Sequence, residues 1–306
     1  MYEKLDDVTL KTGEKVELGV VMGPDLEWAD RIDADLLAHK GGVWQWGNEK
    51  VLRESLEMEA YFYILHRDGT PFANVMNIEY KGVGILGHVY TRPEERQQGA
   101  CAAIFRGLMP HFKARGGQAL VLGTDFDSPP YHIYKAFGFA GIEPHSGTMA
   151  YYAESQAVFD AAYFAKGPVV VARLAACHYP VAPVLFVGSY PGLVRSVVMG
   201  LFGKSSSEGP LLRRWRDELE RIAEGPRGAN RRAQTAGDRG GVGRGDLGAG
   251  RGVAGAVFGG YILSSRVLEL GRRFAGGDCA AEDAPICGVL RCGLCGKGGG
   301  FGRGGV

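Results

Sequence analysis

The residues best suited to chemistry lie in the stretch 82–117, where the pattern predicts a strand, a polar loop and a helix in succession. Residues 84–91 mix apolar and β-prone side chains, as a buried strand does. Pro93 ends this strand because proline has no N–H to donate to a ladder. The loop 96–100 is polar, and apolar side chains at helical spacing then predict a helix over residues 101–115.

The loop of this unit has the properties of an anion site. It presents backbone N–H groups at the start of a helix, where the helix dipole also favours negative charge. Arg96 adds a positive charge at its mouth, and Gly99 allows a ligand to approach the backbone closely. The expected ligand is a phosphate or pyrophosphate. An ordinary strand–helix connection has the same local pattern, so the loop alone leaves both interpretations open.

These residues resemble the acyl-CoA-binding motif of the GNAT superfamily of N-acetyltransferases. In that motif a strand ending in V-x-x-x-P-x-x-R is followed by R/Q-x-x-G-x-G/A at the start of a helix. Val89, Pro93 and the run 96–101 match it here, with Cys101 in a place that usually holds Gly or Ala.

A second motif of the same family, N-x-x-A-x-x-x-Y-x-x-x-G-F, is matched downstream by residues 127–139, with Asp127 in the usual Asn place and Pro130 in the usual Ala place. Together the two motifs extend the resemblance over residues 8–152. It implies an α/β (α+β) GNAT fold, in which a mixed, mostly antiparallel central sheet is flanked by helices, followed here by a C-terminal extension.

The resemblance also implies how acetyl-CoA would be held as cosubstrate. The pantetheine arm would pair with the end of the strand as an added strand does, and the loop would hold the pyrophosphate. A backbone N–H near Val89 would stabilise the oxyanion. The residues assigned to the cosubstrate are Val89, Tyr90, Thr91, Arg96, Gln97, Gln98, Gly99, Ala100, Cys101, Ala102 and Asp127. For Asp127 we favour a different role, the capping of the next helix.

Two proton transfers are needed for the expected reaction. By resemblance Tyr134 donates a proton to the leaving thiolate, since a phenol and a thiol have comparable pKa values. Tyr131, one turn away, is the competing candidate, and a core tyrosine is the structural alternative. For the base that accepts the proton of the amine, the family position falls near Ile85, which cannot serve. The nearest titratable residues are His88 and Glu79, although a histidine on a strand is more often structural.

The pattern along the chain independently predicts the same order of elements. A strand at 15–22 is followed by helices at 26–39 and 49–57, the second capped by Asn48, and by strands at 61–66, 71–80 and 84–91. After the helix at 101–115 come a buried strand at 119–124, a helix at 129–138 and closing strands at 139–142 and 148–152. Trp44, Trp46 and Tyr61 are candidates for an apolar acceptor pocket, although core packing explains them equally well.

Two further segments follow the GNAT-like part. Residues 167–224 predict a strand at 169–174, helical segments at 181–187 and 193–201, and an amphipathic helix at 210–223. They fit either the start of a second GNAT-like unit or an extension that packs on the first domain. Residues 225–306 are a Gly/Arg-rich, low-complexity tail that we expect to be disordered or degenerate.

Composition limits the partners. The net charge of +1 gives no reason to expect nucleic acid or a membrane surface, and no apolar run reaches the length of a membrane span. The polar start lacks a signal-peptide pattern, and the cysteines do not suggest a disulfide framework, so we expect a cytoplasmic protein. The C-x-x-C at 292–295 lies among glycines, and we expect no metal site. A homodimer is compatible with the sequence.

The sequence therefore predicts an acetyl-CoA-dependent N-acetyltransferase that acts on a primary amine by direct attack. The alternative is a non-catalytic GNAT-fold protein that binds acyl-CoA or serves as a scaffold, which Cys101, Asp127 and the missing base position would suit. Release of free thiol from acetyl-CoA in the presence of an amine distinguishes the two.

Overall fold

The computed structural model describes residues 1–165, 174–188, 194–196 and 199–238. Its centre is an eight-stranded sheet in the order β1-β2-β3-β4-β5-β6-β8-β7. The strands are β1 (Tyr2–Thr9), β2 (Lys15–Met22), β3 (Glu59–Arg67), β4 (Thr70–Tyr80), β5 (Val83–Thr91), β6 (Ala119–Gly123), β7 (Ala140–Gly141) and β8 (Thr148–Tyr152). A separate antiparallel pair is formed by β9 (Val194–Ser196) and β10 (Leu201–Phe202).

The sheet is mixed, as the sequence predicted. Every pair of neighbouring strands is antiparallel except β5 and β6, which run parallel. A parallel pair needs a crossover, and the helix α3 (Ala100–Ala114) supplies it. The hairpin between β3 and β4 turns at Asp68 and Gly69, both with positive φ, as tight two-residue hairpins require.

Helices cover both faces of the sheet. The helices are α1 (Leu26–Ile32), α2 (Val43–Arg53), α3, α4 (Pro129–Ala136), α5 (Gln156–Tyr163), α6 (His178–Val187) and α7 (Glu208–Asp238). The α3 and α4 helices share one core with the sheet, while α1, α2, α5, α6 and α7 pack in two clusters against the rest of it. The side of the sheet that α3 and α4 cover is called the α3 face, and the side that the other helices cover is called the α2 face. The predicted α/β (α+β) fold, with a sheet between helices, is confirmed.

The first strand of the sheet was not predicted, so the sheet begins at Tyr2 and not with the strand predicted at 15–22. In β1 only Tyr2, Leu5 and Val8 are partly buried, a spacing of three rather than two. The cause is a break in register between Lys4 and Asp6 where β1 pairs with β2. A bulge of this kind hides the period-two pattern by which an edge strand is recognised.

The predicted cap at Asn48 is wrong. The α2 helix begins at Val43 and Asn48 lies inside it, only 3% exposed. An interior position also explains Gly47, since a Cβ there would lie 2.9 Å from the Leu212 side chain of α7. The backbone of α2 therefore approaches α7 closely, which a sequence pattern within α2 alone does not reveal.

The segment after α5 also differs from the sequence prediction. The predicted helix at 193–201 is contradicted where the structure describes it, because residues 194–196 and 201–202 pair as strands around Gly200 (φ +65°). The helix predicted at 181–187 is confirmed within α6, and the one predicted at 210–223 runs from Glu208 to Asp238. The strand predicted at 169–174 lies, apart from Leu174, outside the described residues, as does the tail beyond residue 238.

Candidate active site

The parallel strands β5 and β6 diverge, which opens the sheet at its centre. They pair at Val83 with Ala119, at Gly84 with Leu120 and at Ile85 with Val121. Among the residues that the structure describes, the part of β5 from residue 86 to 91 has no strand partner on that side. Its backbone N–H and C=O groups therefore offer an edge along which an extended ligand could bind as an added strand.

A bulge lies in the part of β5 that has no β6 partner. Asn74 pairs with Tyr90 and Met76 with Gly87, so His88 and Val89 together oppose the single residue between Asn74 and Met76. His88 has a positive φ of +50°, an unusual conformation for a residue other than glycine. A bulge redirects backbone groups locally, and here it does so beside the divergence of the two strands.

The predicted anion loop connects the end of β5 to α3. Gln97 (φ +64°) and Gly99 (φ +86°) are both left-handed, and Gly99 provides the N-cap of α3 without a side-chain hydrogen bond. The ladder of α3 opens with the bond from the N–H of Ala103 to the carbonyl of Gly99. The N–H groups of residues 100–102 thus precede the ladder and face outward for an anion.

Arg96 is held beside this loop by the end of β5. Its Nε donates to the carbonyl of Thr91 at 3.1 Å, and its guanidinium lies 6.0 Å from the ring centroid of Tyr90. Val89, Tyr90, Thr91 and the loop residues Arg96, Gln97, Gln98, Gly99, Ala100, Cys101 and Ala102 therefore form one continuous path from the bulge to the start of α3.

The turn between β1 and β2 adds a cation that sequence reasoning missed. The N–H of Lys11 donates to the carbonyl of Gln98 at 3.0 Å, and its side chain lies beside Gly99, where a Cβ would be 3.6 Å away. This turn is fixed from the other side by Arg67, which bridges Glu14 and Glu95. The sequence carries no signal for Lys11, because it lies far from the motif in a strand pair that was only half predicted.

Tyr134 lies under the same helix start, on α4. It is 5% exposed, and its ring packs against Phe105 and Phe139 on the α3 face. Burial and the neighbouring Cys101 raise the pKa of Tyr134 above its usual value. Burial likewise raises the pKa of Cys101 to about 12. Both groups are therefore protonated at neutral pH, and Tyr134 keeps a proton to donate.

His88 sits in the bulge but is poorly suited to accept a proton. It is nearly buried, with its ring in an edge contact with Trp44 of α2. Burial lowers the pKa of His88 to about 3, with a further contribution from Lys40. The imidazole is neutral at any physiological pH, and its basicity is too low for efficient proton abstraction from an amine.

Glu79 lies away from the diverging strands. It pairs with Gly84 near the start of β5, and its carboxylate makes two bonds to Arg115, at 2.9 and 3.0 Å. Arg115 also donates a hydrogen bond to the hydroxyl oxygen of Tyr63 at 3.1 Å. Glu79 is 2% exposed and is paired with the partly exposed Arg115, so its carboxylate is not at the bulge.

Asp127 does not cap α4, contrary to the role favoured from the sequence. The N-cap is Ser128, whose side chain accepts from the N–H of Tyr131, while Asp127 is exposed, has φ +59° and lies 3.0 Å from Nε2 of His132. Asparagine and aspartate tolerate left-handed backbone, which explains an acidic residue at this turn. Its assignment to the cosubstrate remains a prediction.

Within the described ranges, no group of three or more His, Cys, Asp or Glu side chains is placed to hold a metal ion. The C-x-x-C at 292–295 lies outside those ranges. No helix in the described part of the chain is long and apolar enough to cross a membrane.

The mixed sheet, the bulge beside the diverging parallel strands and the loop at the start of α3 agree with the arrangement expected from the two motifs that resemble the GNAT superfamily. No protein-family profile and no curated protein matches the chain. Among solved structures the chain is similar to the GNAT domain of S. lividans PAT, with a TM-score of 0.37 and 9% identity over 48% of this chain and 96% of that one.

Two further solved structures are similar at the same level. For the ribosomal-protein-S18-alanine N-acetyltransferase from Escherichia coli, the TM-score is 0.35 and the identity 12%, over 44% of this chain and 95% of that one. For the PaiA N-acetyltransferase from Thermoplasma acidophilum in complex with coenzyme A, the TM-score is 0.32 and the identity 12%, over 44% and 98%. These likenesses concern the fold alone.

Proposed function

We propose that this chain is an acetyl-CoA-dependent N-acetyltransferase that transfers the acetyl group to a primary amine by direct attack. The observation that carries the proposal is the continuity of three features along residues 86–102. The bulge, the strand edge that continues to residue 91 and a helix start without a side-chain cap follow one another, in the order of thioester, pantetheine and pyrophosphate along acetyl-CoA.

Each part of the path has a chemical role in the proposed reaction. The helix start, with Arg96 and Lys11 beside it, neutralises the pyrophosphate. The backbone N–H at Val89 donates to the carbonyl oxygen of the thioester, on which negative charge develops during attack. The amine attacks the carbonyl carbon, the C–S bond breaks, and Tyr134 protonates the departing thiolate.

We further propose that the described part of the chain after residue 165 is an extension of this unit and not the start of a second one. The described parts support this: α6 and α7 share cores with α2 and with the sheet. The acceptor amine would then approach from the α2 face, where these helices lie. Whether two copies associate is open to direct measurement.

Calorimetric titration of the full chain with acetyl-CoA tests the cosubstrate site. Arg96→Glu and Gly99→Trp should each weaken binding at least tenfold, because one reverses the charge and the other fills the approach to the helix start. Arg106→Glu, on the exposed side of α3, and Gly116→Trp, at a left-handed glycine with open space around it, are matched controls that should bind as the parent does.

Thiol release from acetyl-CoA with a panel of primary amines then tests transfer. Amine-dependent release supports the transferase. Tight binding without release would favour the non-catalytic acyl-CoA-binding protein. The absence of binding by a folded parent would refute both and favour the scaffold alternative.

A further inference from the structure

The segment that leads into α7 crosses the diverging strands on the α2 face. Lys204 lies 3.7 Å from Glu143, in the connection before β8. Ser206 lies beside Gly123 at the end of β6, where a Cβ would be 3.8 Å from it. Glu208, two residues after Ser206, lies beside β5, since a Cβ on Gly87 would be 3.1 Å from its Oε1. The extension therefore passes from β6 to β5 and brings a carboxylate to the bulge.

The Glu208 carboxylate is otherwise uncommitted. Within the described part of the chain the side chain makes no ion pair or hydrogen bond, while its backbone N–H donates to Oγ of Ser206 at 3.4 Å. The residue keeps part of its surface exposed. Burial raises the pKa of Glu208 to about 7, and the charge of Lys40 acts in the opposite direction. An ionised carboxylate without a partner in such surroundings costs free energy, and a bound cationic ligand would offset that cost.

The surroundings of Glu208 on the α2 face are aromatic. The indole of Trp44 packs against the backbone of Gly209, the next residue of α7, and makes an edge contact with His88 at 5.6 Å between ring centroids. Tyr179 of α6 is fully buried, and the negative charge of Glu208 contributes to raising the pKa of its phenol. Aromatic faces beside a carboxylate suit an ammonium group carried on an apolar chain.

We propose that Glu208, from the C-terminal extension, binds the ammonium group of the acceptor and takes its proton. The proposal rests on the proposed function and supplies the base that His88 and Glu79 do not provide. His88 is neutral and weakly basic, and Glu79 is held by Arg115 elsewhere. In the described part of the chain, Lys40, before α2, and Tyr179 of α6 interact electrostatically with Glu208. His88 follows Gly87, the β5 residue beside the Glu208 carboxylate.

The proton balance of the reaction closes with this assignment. The ammonium passes one proton to the Glu208 carboxylate, which later releases it to solvent. The neutral amine forms the C–N bond, and the collapse of the tetrahedral intermediate breaks the C–S bond. Tyr134 gives its proton to the thiolate and is reprotonated by the second proton of the amine nitrogen. The products are the amide, coenzyme A and one proton.

The test compares the full chain with Glu208→Gln and Glu208→Asp, using tyramine as a primary amine with an aromatic group. For the parent, kcat/KM should rise with pH through a limb near 7. In Glu208→Gln this limb should vanish and the rate at pH 7.5 should fall about 100-fold, the lower range for a general base. Glu208→Asp should lie between. Glu220→Gln, on the same helix, should match the parent in rate and pH profile.

A second readout keeps the test independent of turnover. Calorimetric titration of tyramine into the chain saturated with coenzyme A should show binding by the parent and by Glu220→Gln, and at least tenfold weaker binding by Glu208→Gln. Such a difference supports the Glu208 site even if no acetyl transfer occurs, in which case the proposed function alone fails. A Glu208→Gln variant with the parent's amine affinity and pH profile would overturn the inference and leave the transferase intact.

Discussion

The side-chain amide of Asn74, on β4, donates a hydrogen bond of 2.8 Å to the backbone carbonyl of His88, on β5. This bond lies across the bulge and is buried. It fixes the carbonyl of His88 and with it the N–H of Val89, because the two groups belong to the same planar peptide unit. The geometry of the proposed oxyanion donor thus depends on a side chain of the neighbouring strand.

Replacing Asn74 by Leu should therefore impair catalysis more than folding. We expect kcat to fall about tenfold or more, because the bulge loses its support, and the free energy of unfolding to fall by about 1–3 kcal/mol, the cost of an unsatisfied buried carbonyl. Steady-state kinetics and urea unfolding measure the two effects. Asn77→Leu, which removes a buried amide from the same strand near Glu79, should cost similar stability and leave kcat unchanged.

Lys11 should contribute to acetyl-CoA affinity through its charge. Lys11→Ala should raise the Kd about three- to tenfold at low salt, and the difference should shrink as salt screens the pyrophosphate. Calorimetry at two ionic strengths checks this, with Lys15→Ala, at the exposed start of β2, as the control. An equal Kd for Lys11→Ala at low salt would mean that the turn acts only through its backbone bond to Gln98.

The loop before α3 was predictable because its signals are local. Gly99, the polar run and the helical spacing that follows lie within a few residues of one another, and the structure confirms the strand, the loop and the helix. The hairpin at residues 68–69 was predictable for the same reason. A short segment carries all the physical information that these elements need.

Lys11 and Glu208 were not predictable because nothing local marks them. Lys11 follows a charged edge strand whose bulge breaks the usual alternation. Glu208 reaches β5 from a helix far along the chain, and its position depends on close packing of α7 against Gly47 and Trp44 of α2. Long-range packing of this kind leaves no periodic trace in either segment.

Tyr134 should act on the chemical step alone. Tyr134→Phe removes the donor without changing the aromatic packing against Phe105, so kcat should fall about 100-fold while the Kd of acetyl-CoA stays constant. Because the pKa of Tyr134 is raised, the parent should show no loss of kcat from its ionisation below pH 10. Tyr131→Phe is the control, and a larger effect of Tyr131→Phe would transfer the donor role to that residue.

Glu79 should prove structural. Burial raises the pKa of Glu79, although Arg115 opposes the shift, and the buried carboxylate forms an ion pair with the partly exposed guanidinium. Glu79→Gln would leave Arg115 without its counter-charge and should lower the free energy of unfolding by about 3 kcal/mol. The pH profile of kcat/KM should be unchanged. A profile that loses its limb near pH 7 in Glu79→Gln would contradict this role and also the assignment of the base to Glu208.

The free energy of unfolding should depend on pH through the ionisation of Glu208. Its pKa rises from 4.5 to about 7 on folding, so the folded state resists its ionisation. Its contribution to stability is complete below pH 4.5 and is lost as the pH rises through 7. Glu208→Gln cannot ionise, so its free energy of unfolding relative to the parent should increase by about 1–3 kcal/mol between pH 4.5 and pH 8.

Urea unfolding of the parent, Glu208→Gln and Glu220→Gln at these two pH values measures this change directly. The partial exposure of Glu208 favours the lower part of the range, since solvent relieves some of the cost of charge. A pH-independent difference between Glu208→Gln and the parent would mean that this carboxyl ionises as easily in the folded chain as in water. A stabilised but inactive Glu208→Gln would instead be the expected behaviour of a site that gives up stability for function.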